Sequence, residues 1–153
     1  MIVLLAGLAE VLSAIKKGGV GLYSGFLIKI GGELLDLKYI KEKTYTSYPS
    51  VQDLDSYRDA NGELHRSALP HVPVKTEFET MPLDNNELCD LLGLIRNHYL
   101  NELERKVSVT VFVPEYNDYV TQNAYIAEPT PKIDHIDGNK VYYESLRLAF
   151  IGY

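Results

Sequence analysis

The chain has 153 residues, a net charge of −6 and a single cysteine, Cys89. That length suits one domain with a core of its own, and the lone cysteine excludes an intrachain disulfide. The acidic balance argues against a nucleic-acid grip, which needs a basic face to displace counterions.

Residues 2–17 read as a helix. Leu4, Leu5, Leu8, Val11, Leu12 and Ile15 recur at three- and four-residue spacing and form one apolar stripe. Lys16 and Lys17 stand at its C-terminal end, where cations complement the helix dipole, and Gly18-Gly19 stops it. With Gly21 and Gly25 these glycines form a hinge. The chain therefore divides into a helical arm with its hinge, residues 1–25, and a domain, residues 26–153. An exposed apolar face of that length needs a cover: the stripe Leu4, Leu8, Val11, Leu12 and Ile15 either folds back on its own domain or docks on a neighbouring subunit, and it is read as an assembly interface. The run Met1–Leu12 is interrupted by Glu10 and is too short to span a membrane. It also lacks the basic start of a signal peptide.

Residues 26–37 read as a hairpin, with Phe26–Ile30 going out, Gly31-Gly32 turning and Glu33–Leu37 returning. Residues 38–50 hold Tyr39, Tyr45 and Tyr48, in a strand or an extended loop ending at Pro49. Next comes Asn61-Gly62, a strong hairpin signal because both residues tolerate positive φ. The acidic residues before it, Asp53, Asp55 and Asp59, invite a calcium reading. That reading fails on spacing. With Gly62 at position 6 of an EF-hand loop, Tyr57 falls at position 1 and Ala68 at position 12, where carboxylates are needed. Asn61 and Gly62 are thus a structural turn.

Residues 72–80 alternate, with Val74, Thr76, Phe78 and Thr80 on one face, as in a half-buried antiparallel strand. Asp84 is an N-cap and Glu87 completes a capping box; Leu83 and Leu88 form a hydrophobic staple. The helix that follows presents Leu88, Leu91, Leu92, Ile95 and Tyr99 on one face and is expected to end near Leu103. Strands follow at Val107–Val113, Tyr119–Ala127 and Ile133–Ile136. After a turn at Asp137-Gly138-Asn139, one long strand is expected from Val141 to Tyr153. Strands and helices do not alternate as βαβ units. The fold is therefore α+β: an antiparallel β-sandwich or open barrel with one packed helix, plus the N-terminal helical arm.

Candidate chemistry is thin. The histidines His65, His71, His98 and His135 form no His-x-x-x-His pair, and Cys89 has no partner cysteine, so no metal site is read. His98 reads as a packing or surface histidine, and Cys89 as a small apolar residue beside Leu88. The Gly18–Gly21 cluster lacks the Gly-Lys-Ser/Thr ending of a phosphate loop, and no Gly-x-Ser-x-Gly elbow occurs. No catalytic, cofactor-binding or metal-binding residue is assigned, and the chain is read as a non-enzyme.

The runs Phe26–Glu33, Arg58–Arg66 and Val74–Phe78, with their Lys-Ile-Gly-Gly and Arg-x-Ala-Asn-Gly turns, resemble a family of small tail structural proteins of tailed bacteriophages. The resemblance covers about residues 26–153; the first 25 residues depart from it. It implies a virion structural protein without catalytic residues. The expected role is a ring-forming component near the tail tip or baseplate, assembled in the bacterial host cytoplasm and carried in the virion. Its expected partners are itself, as a hexameric ring, and tube, hub or baseplate proteins. A tail tube or tail-terminator subunit is the alternative within that class. A monomeric ligand- or glycan-binding β-domain is the alternative outside it.

Overall fold

The computed structural model describes residues 22–153. The expected N-terminal helix and its stripe Leu4, Leu8, Val11, Leu12 and Ile15 lie outside the described residues. The chain enters beside a later hairpin: Leu22 N donates to Asn117 O at 2.9 Å, and Ser24 N to the Tyr119 hydroxyl at 2.8 Å.

Strand β1 (Ile28–Ile30) turns into β2 (Glu33–Leu34) through Gly31 and Gly32, whose φ angles are +57° and +86°. Two positive angles at the centre of a two-residue turn match the right-handed twist of the flanking strands, and glycine takes both without a Cβ penalty. Two short 3₁₀ turns, Leu37–Tyr39 and Glu42–Thr44, lead to β3 (Thr46–Pro49). The short strands β4 (Tyr57–Arg58) and β5 (Leu64–His65) precede β6 (Val74–Glu79) and β7 (Leu83–Asp84). Helix α1 (Asn85–Asn97) comes next, followed by β8 (Lys106–Val113), β9 (Asp118–Ile126), β10 (Ile133–Asp137), β11 (Lys140–Tyr143) and β12 (Arg147–Gly152).

Every ladder is antiparallel, both in the hairpins β1–β2, β4–β5, β8–β9 and β10–β11 and between strands distant in sequence, such as β1–β8 and β6–β12. The main sheet has seven strands in the order β2-β1-β8-β9-β12-β6-β3; β10-β11-β7 form a second sheet and β4-β5 a third. The main sheet curls until β3 stands beside β8. The Tyr45 hydroxyl links the two there, donating to Phe112 O at 2.7 Å. No ladder joins β3 to β8, so the barrel stays open. The α+β reading thus holds at this level: antiparallel sheets, one α-helix among the described residues, and a shared core. Leu83 of the second sheet joins that core in a sandwich-like arrangement.

The alternation read from sequence sets the core. Val107, Val109, Val111 and Val113 of β8 are all buried, as are Val74, Thr76 and Phe78 of β6 and Thr80 just beyond it. Thr76 is buried with a partner, since its hydroxyl meets that of Ser47 at 2.8 Å. A buried polar group is tolerated when it is hydrogen-bonded. The capping box of α1 is present. Glu87 N donates to Asp84 Oδ1 at 2.9 Å, and Asp84 N to Glu87 Oε1 at 3.3 Å. Leu88, Leu91 and Ile95 turn inward, while Leu92 is half-buried.

Four expectations need correction. The helix ends at Asn97, not near Leu103, because the His98 N–H already bonds back to the last turn. The following turn is organised by Asn101, whose Oδ1 accepts from Leu103 N at 3.0 Å and Glu104 N at 3.3 Å. The long final strand is two strands in two sheets, β11 beside β7 and β12 between β6 and β9. The chain changes sheet at Glu144–Leu146, where Thr80 pins it: Leu146 N donates to Thr80 Oγ1 at 3.0 Å. Cys89 is exposed, not packed, since it stands on the side of α1 away from Leu88, Leu91 and Ile95. Lastly, Gly62 has φ +82° but Asn61 does not share a positive φ.

Candidate functional site

Residues 51–72 form a two-stranded arm that leaves the main sheet between β3 and β6. Backbone bonds pair its sides from base to tip. Ser50 N donates to Pro73 O at 2.8 Å, Leu69 N to Gln52 O at 2.8 Å and Leu54 N to Ser67 O at 2.8 Å. Farther out, Tyr57 pairs with His65 and Arg58 with Leu64. Side chains clamp the ladder: Arg66 donates twice to Asp53, at 2.8 and 3.0 Å, and the Tyr57 ring stacks on His65 at 5.0 Å. Arg66 is the main reason the Asp53 carboxyl lies below its ordinary range.

Asn61 and Gly62 meet at the tip, as the sequence implies, but Asp59 builds the turn. Gly62 N donates to Asp59 O at 2.9 Å, while Asp59 Oδ1 accepts from Asn61 N at 2.9 Å and Glu63 N at 3.0 Å. The aspartate therefore mimics a turn of backbone, and the left-handed glycine closes it. Asp59 Oδ2 meets His65 Nε2 at 2.9 Å, and that bond, first among its causes, lowers the Asp59 carboxyl.

Asp59, Glu63 and His65 also bring three potential metal-ligand atoms within 4.8 Å of one another. Both Asp59 oxygens already serve the turn and the histidine, so the hairpin accounts for this cluster without an ion.

The arm buries almost nothing against its own domain. Leu54 is 73% exposed and Tyr57 59%, and Val51, Leu64, Leu69 and Val72 are exposed as well. Sequence reading finds the turn and misses this surface. A signal for it exists: from Val51 to Val72 no two-residue apolar alternation holds, although the pairing is symmetric about Asn61-Gly62.

A second feature lies at the C-terminal end of α1. There Leu92, Ile95, Arg96, Tyr99, Glu102, Arg105, Ile126 and Pro129 line a half-open cavity of about 350 Å³. Arg105 has φ +53°, an uncommon value away from glycine. Its backbone is held from both sides: Arg105 N donates to Glu102 O at 3.2 Å, and Ile126 N to Arg105 O at 3.1 Å. Leu100 and Leu103 beside it are 62% and 99% exposed. The expected helix end near Leu103 hid this turn from sequence reading. Among the described residues no helix is long and apolar enough to cross a membrane.

Residues 21–153 match the model of a family described as "Family of unknown function (DUF6711)", and the chain belongs to that family. No curated protein matches the sequence. Among solved structures, the cryo-EM structure of the anti-feeding prophage cap, described as the tube terminating cap, is similar at 11% identity and a TM-score of 0.36. That similarity covers 87% of this chain and 90% of that one.

Proposed function

We propose that this DUF6711 protein is a structural component of a bacteriophage tail, a subunit that self-associates into a ring near the tail tip or baseplate. The observation that carries the reading is the arm 51–72. An isolated two-stranded ribbon is marginal in water, and one carrying Leu54, Tyr57, Leu64 and Leu69 to solvent presents an apolar surface that a partner must cover. The Arg-Asp-Ala-Asn-Gly turn at its tip belongs to the tail-protein resemblance noted in the sequence. In this reading the chain acts by docking, without catalysis, and its partners are further copies of itself and tail tube, hub or baseplate proteins. The ring is a hexamer, built in the bacterial host cytoplasm and carried in the virion.

The test is the mass of the purified full chain over a concentration series, with negative-stain images of the same sample. Closed rings support the reading. Long tubes would move the chain to the tube itself. A monodisperse monomer at high concentration would favour the ligand-binding β-domain and sink the ring.

A further inference from the structure

The arm needs a receiving surface, and the cavity at the end of α1 has matching chemistry. Its lining is apolar at Leu92, Ile95 and Ile126 and includes the cationic residues Arg96 and Arg105. Among the described residues no carboxylate lies within ion-pair distance of either arginine, although Glu102 also stands on the rim. On the arm, Arg66 holds Asp53 and His65 holds Asp59. Among the described residues Asp55 has no cation within ion-pair distance, and it sits between the exposed Leu54 and Tyr57.

Within one chain the two surfaces stay apart. The arm leaves at the β3–β6 edge, whereas the cavity lies at the end of β9, two strands in from β6, and no arm residue lines it. Leu54–Tyr57 stand four to seven residues beyond the base at Ser50, about 13–23 Å out at ~3.3 Å per residue, enough to reach a neighbouring molecule.

We propose that the segment Leu54–Tyr57 of one copy seats in the α1 cavity of the next, with Asp55 against Arg96 and Arg105. This rests on the self-association argued above and names the contact. A carboxylate between guanidiniums makes charge-assisted hydrogen bonds, and an aromatic anchor beside an apolar floor is the usual centre of a strong interface. Donor and acceptor patches differ, so the contact is heterologous and generates a ring when its rotation closes. The more weakly acidic hairpin β10–β11, with exposed Ile133, Ile136 and Asp137, is the rival occupant.

Charge exchange in the full chain tests this by sedimentation velocity at low salt. Asp55→Arg and Arg105→Asp should each weaken self-association about tenfold or more, or ~1.4 kcal/mol, and the double variant should recover most of the loss. Arg96→Asp, on the exposed face of α1, serves as the acceptor change if Arg105→Asp fails to fold. Single variants that assemble like the wild type, or a double variant without rescue, overturn the contact while the ring reading of the wild type stands. Rescue of Arg105→Asp by Asp137→Arg instead would assign the cavity to the β10–β11 hairpin and overturn the proposal. A wild-type chain that stays monomeric at every concentration removes both the contact and the ring.

Discussion

A side-chain carbon placed on Gly31 would lie 2.3 Å from Nδ1 of His98. The turn between β1 and β2 is therefore fitted against the C-cap of α1, and His98 Nε2 reaches on to Glu33 Oε2 at 3.2 Å. Two requirements converge on Gly31: a left-handed φ of +57° and the absence of a Cβ. Gly31→Ala should cost about 1–3 kcal/mol, part from backbone conformation and part from displacing the imidazole. Urea unfolding of Gly31→Ala alone and combined with His98→Ala separates the parts. The histidine change should recover only the steric share. Full recovery would mean that the backbone contributes nothing.

Tyr45 closes the gap between β3 and β8, where sequence reading leaves only a strand or an extended loop. Its hydroxyl donates to Phe112 O, and burial, opposed only in part by its hydrogen bonds, pushes the phenol well above its ordinary range. Tyr45→Phe should cost about 1–2 kcal/mol, the loss of one partner of a part-buried hydrogen bond. The sign of the pH effect follows from the direction of the shift. The folded chain keeps this proton where an unfolded tyrosine, with a pKa of about 10, has lost it. The contribution is thus complete below about pH 10 and disappears as pH rises toward the folded value. Tyr116 and Tyr153 are also raised, chiefly by burial. The readout is therefore the difference between wild type and Tyr45→Phe in urea unfolding from pH 8 to pH 11. That difference should shrink with rising pH; a constant gap would assign the phenol no linkage.

Helix α1 was legible almost residue by residue up to its end. Asp84, Glu87, Leu83 and Leu88 act locally, so spacing alone reveals the cap, and Leu91 and Ile95 follow from periodicity. Its C-terminus was not legible, because Leu100 and Leu103 continue the apolar pattern while pointing to solvent. Asp84→Ala should cost about 1 kcal/mol. Ile95→Ala should cost about 2–5 kcal/mol, and Leu92→Ala less, since Leu92 is half-buried beside the cavity. Thermal and urea unfolding check the ranking. Equal losses at Ile95 and Leu92 would place the cavity deeper in the core than its open rim implies.

The β8 strand and the β6 strand were readable because one face is buried, and a single face imposes alternation. The break in the last strand was not, since Tyr142, Leu146, Leu148 and Phe150 keep a common parity across a change of sheet. The arm left only the negative signal of a missing alternation, for the opposite reason. With both faces exposed, nothing in Val51–Val72 selects a period.

The tip of that arm makes a local prediction. Gly62→Val puts a β-branched residue at φ +82°. It should speed amide exchange from Tyr57 to His65 while changing global stability by less than about 0.5 kcal/mol, because the arm carries no core residue. Calcium titration of the wild type should release no heat and leave the melting temperature unchanged. Stabilisation by micromolar calcium would turn Asp59, Glu63 and His65 into a site.

Removing the arm separates folding from assembly. Ser50 N already bonds Pro73 O at 2.8 Å, so a short flexible Gly-Ser linker can replace residues 51–72 without stretching the base. The core cluster includes none of the excised residues, so the shortened chain should fold with a cooperative transition near that of the wild type. It should also stay monomeric where the full chain forms rings. We propose the stripe Leu4, Leu8, Val11, Leu12 and Ile15 as a second docking element, and deletion of residues 1–21 tests it. The cut falls before Leu22, because Leu22 N bonds Asn117 O and Tyr23 lies edge-on to Phe112. Light scattering and circular dichroism on the two truncations give the answer. Loss of assembly in both, with the fold retained, means that each element makes its own contact. If the armless chain still forms rings, the exposed ribbon serves another partner and the ring is built elsewhere. If it unfolds, the arm belongs to the domain's own stability, and its exposed leucines and tyrosine no longer argue for a neighbour.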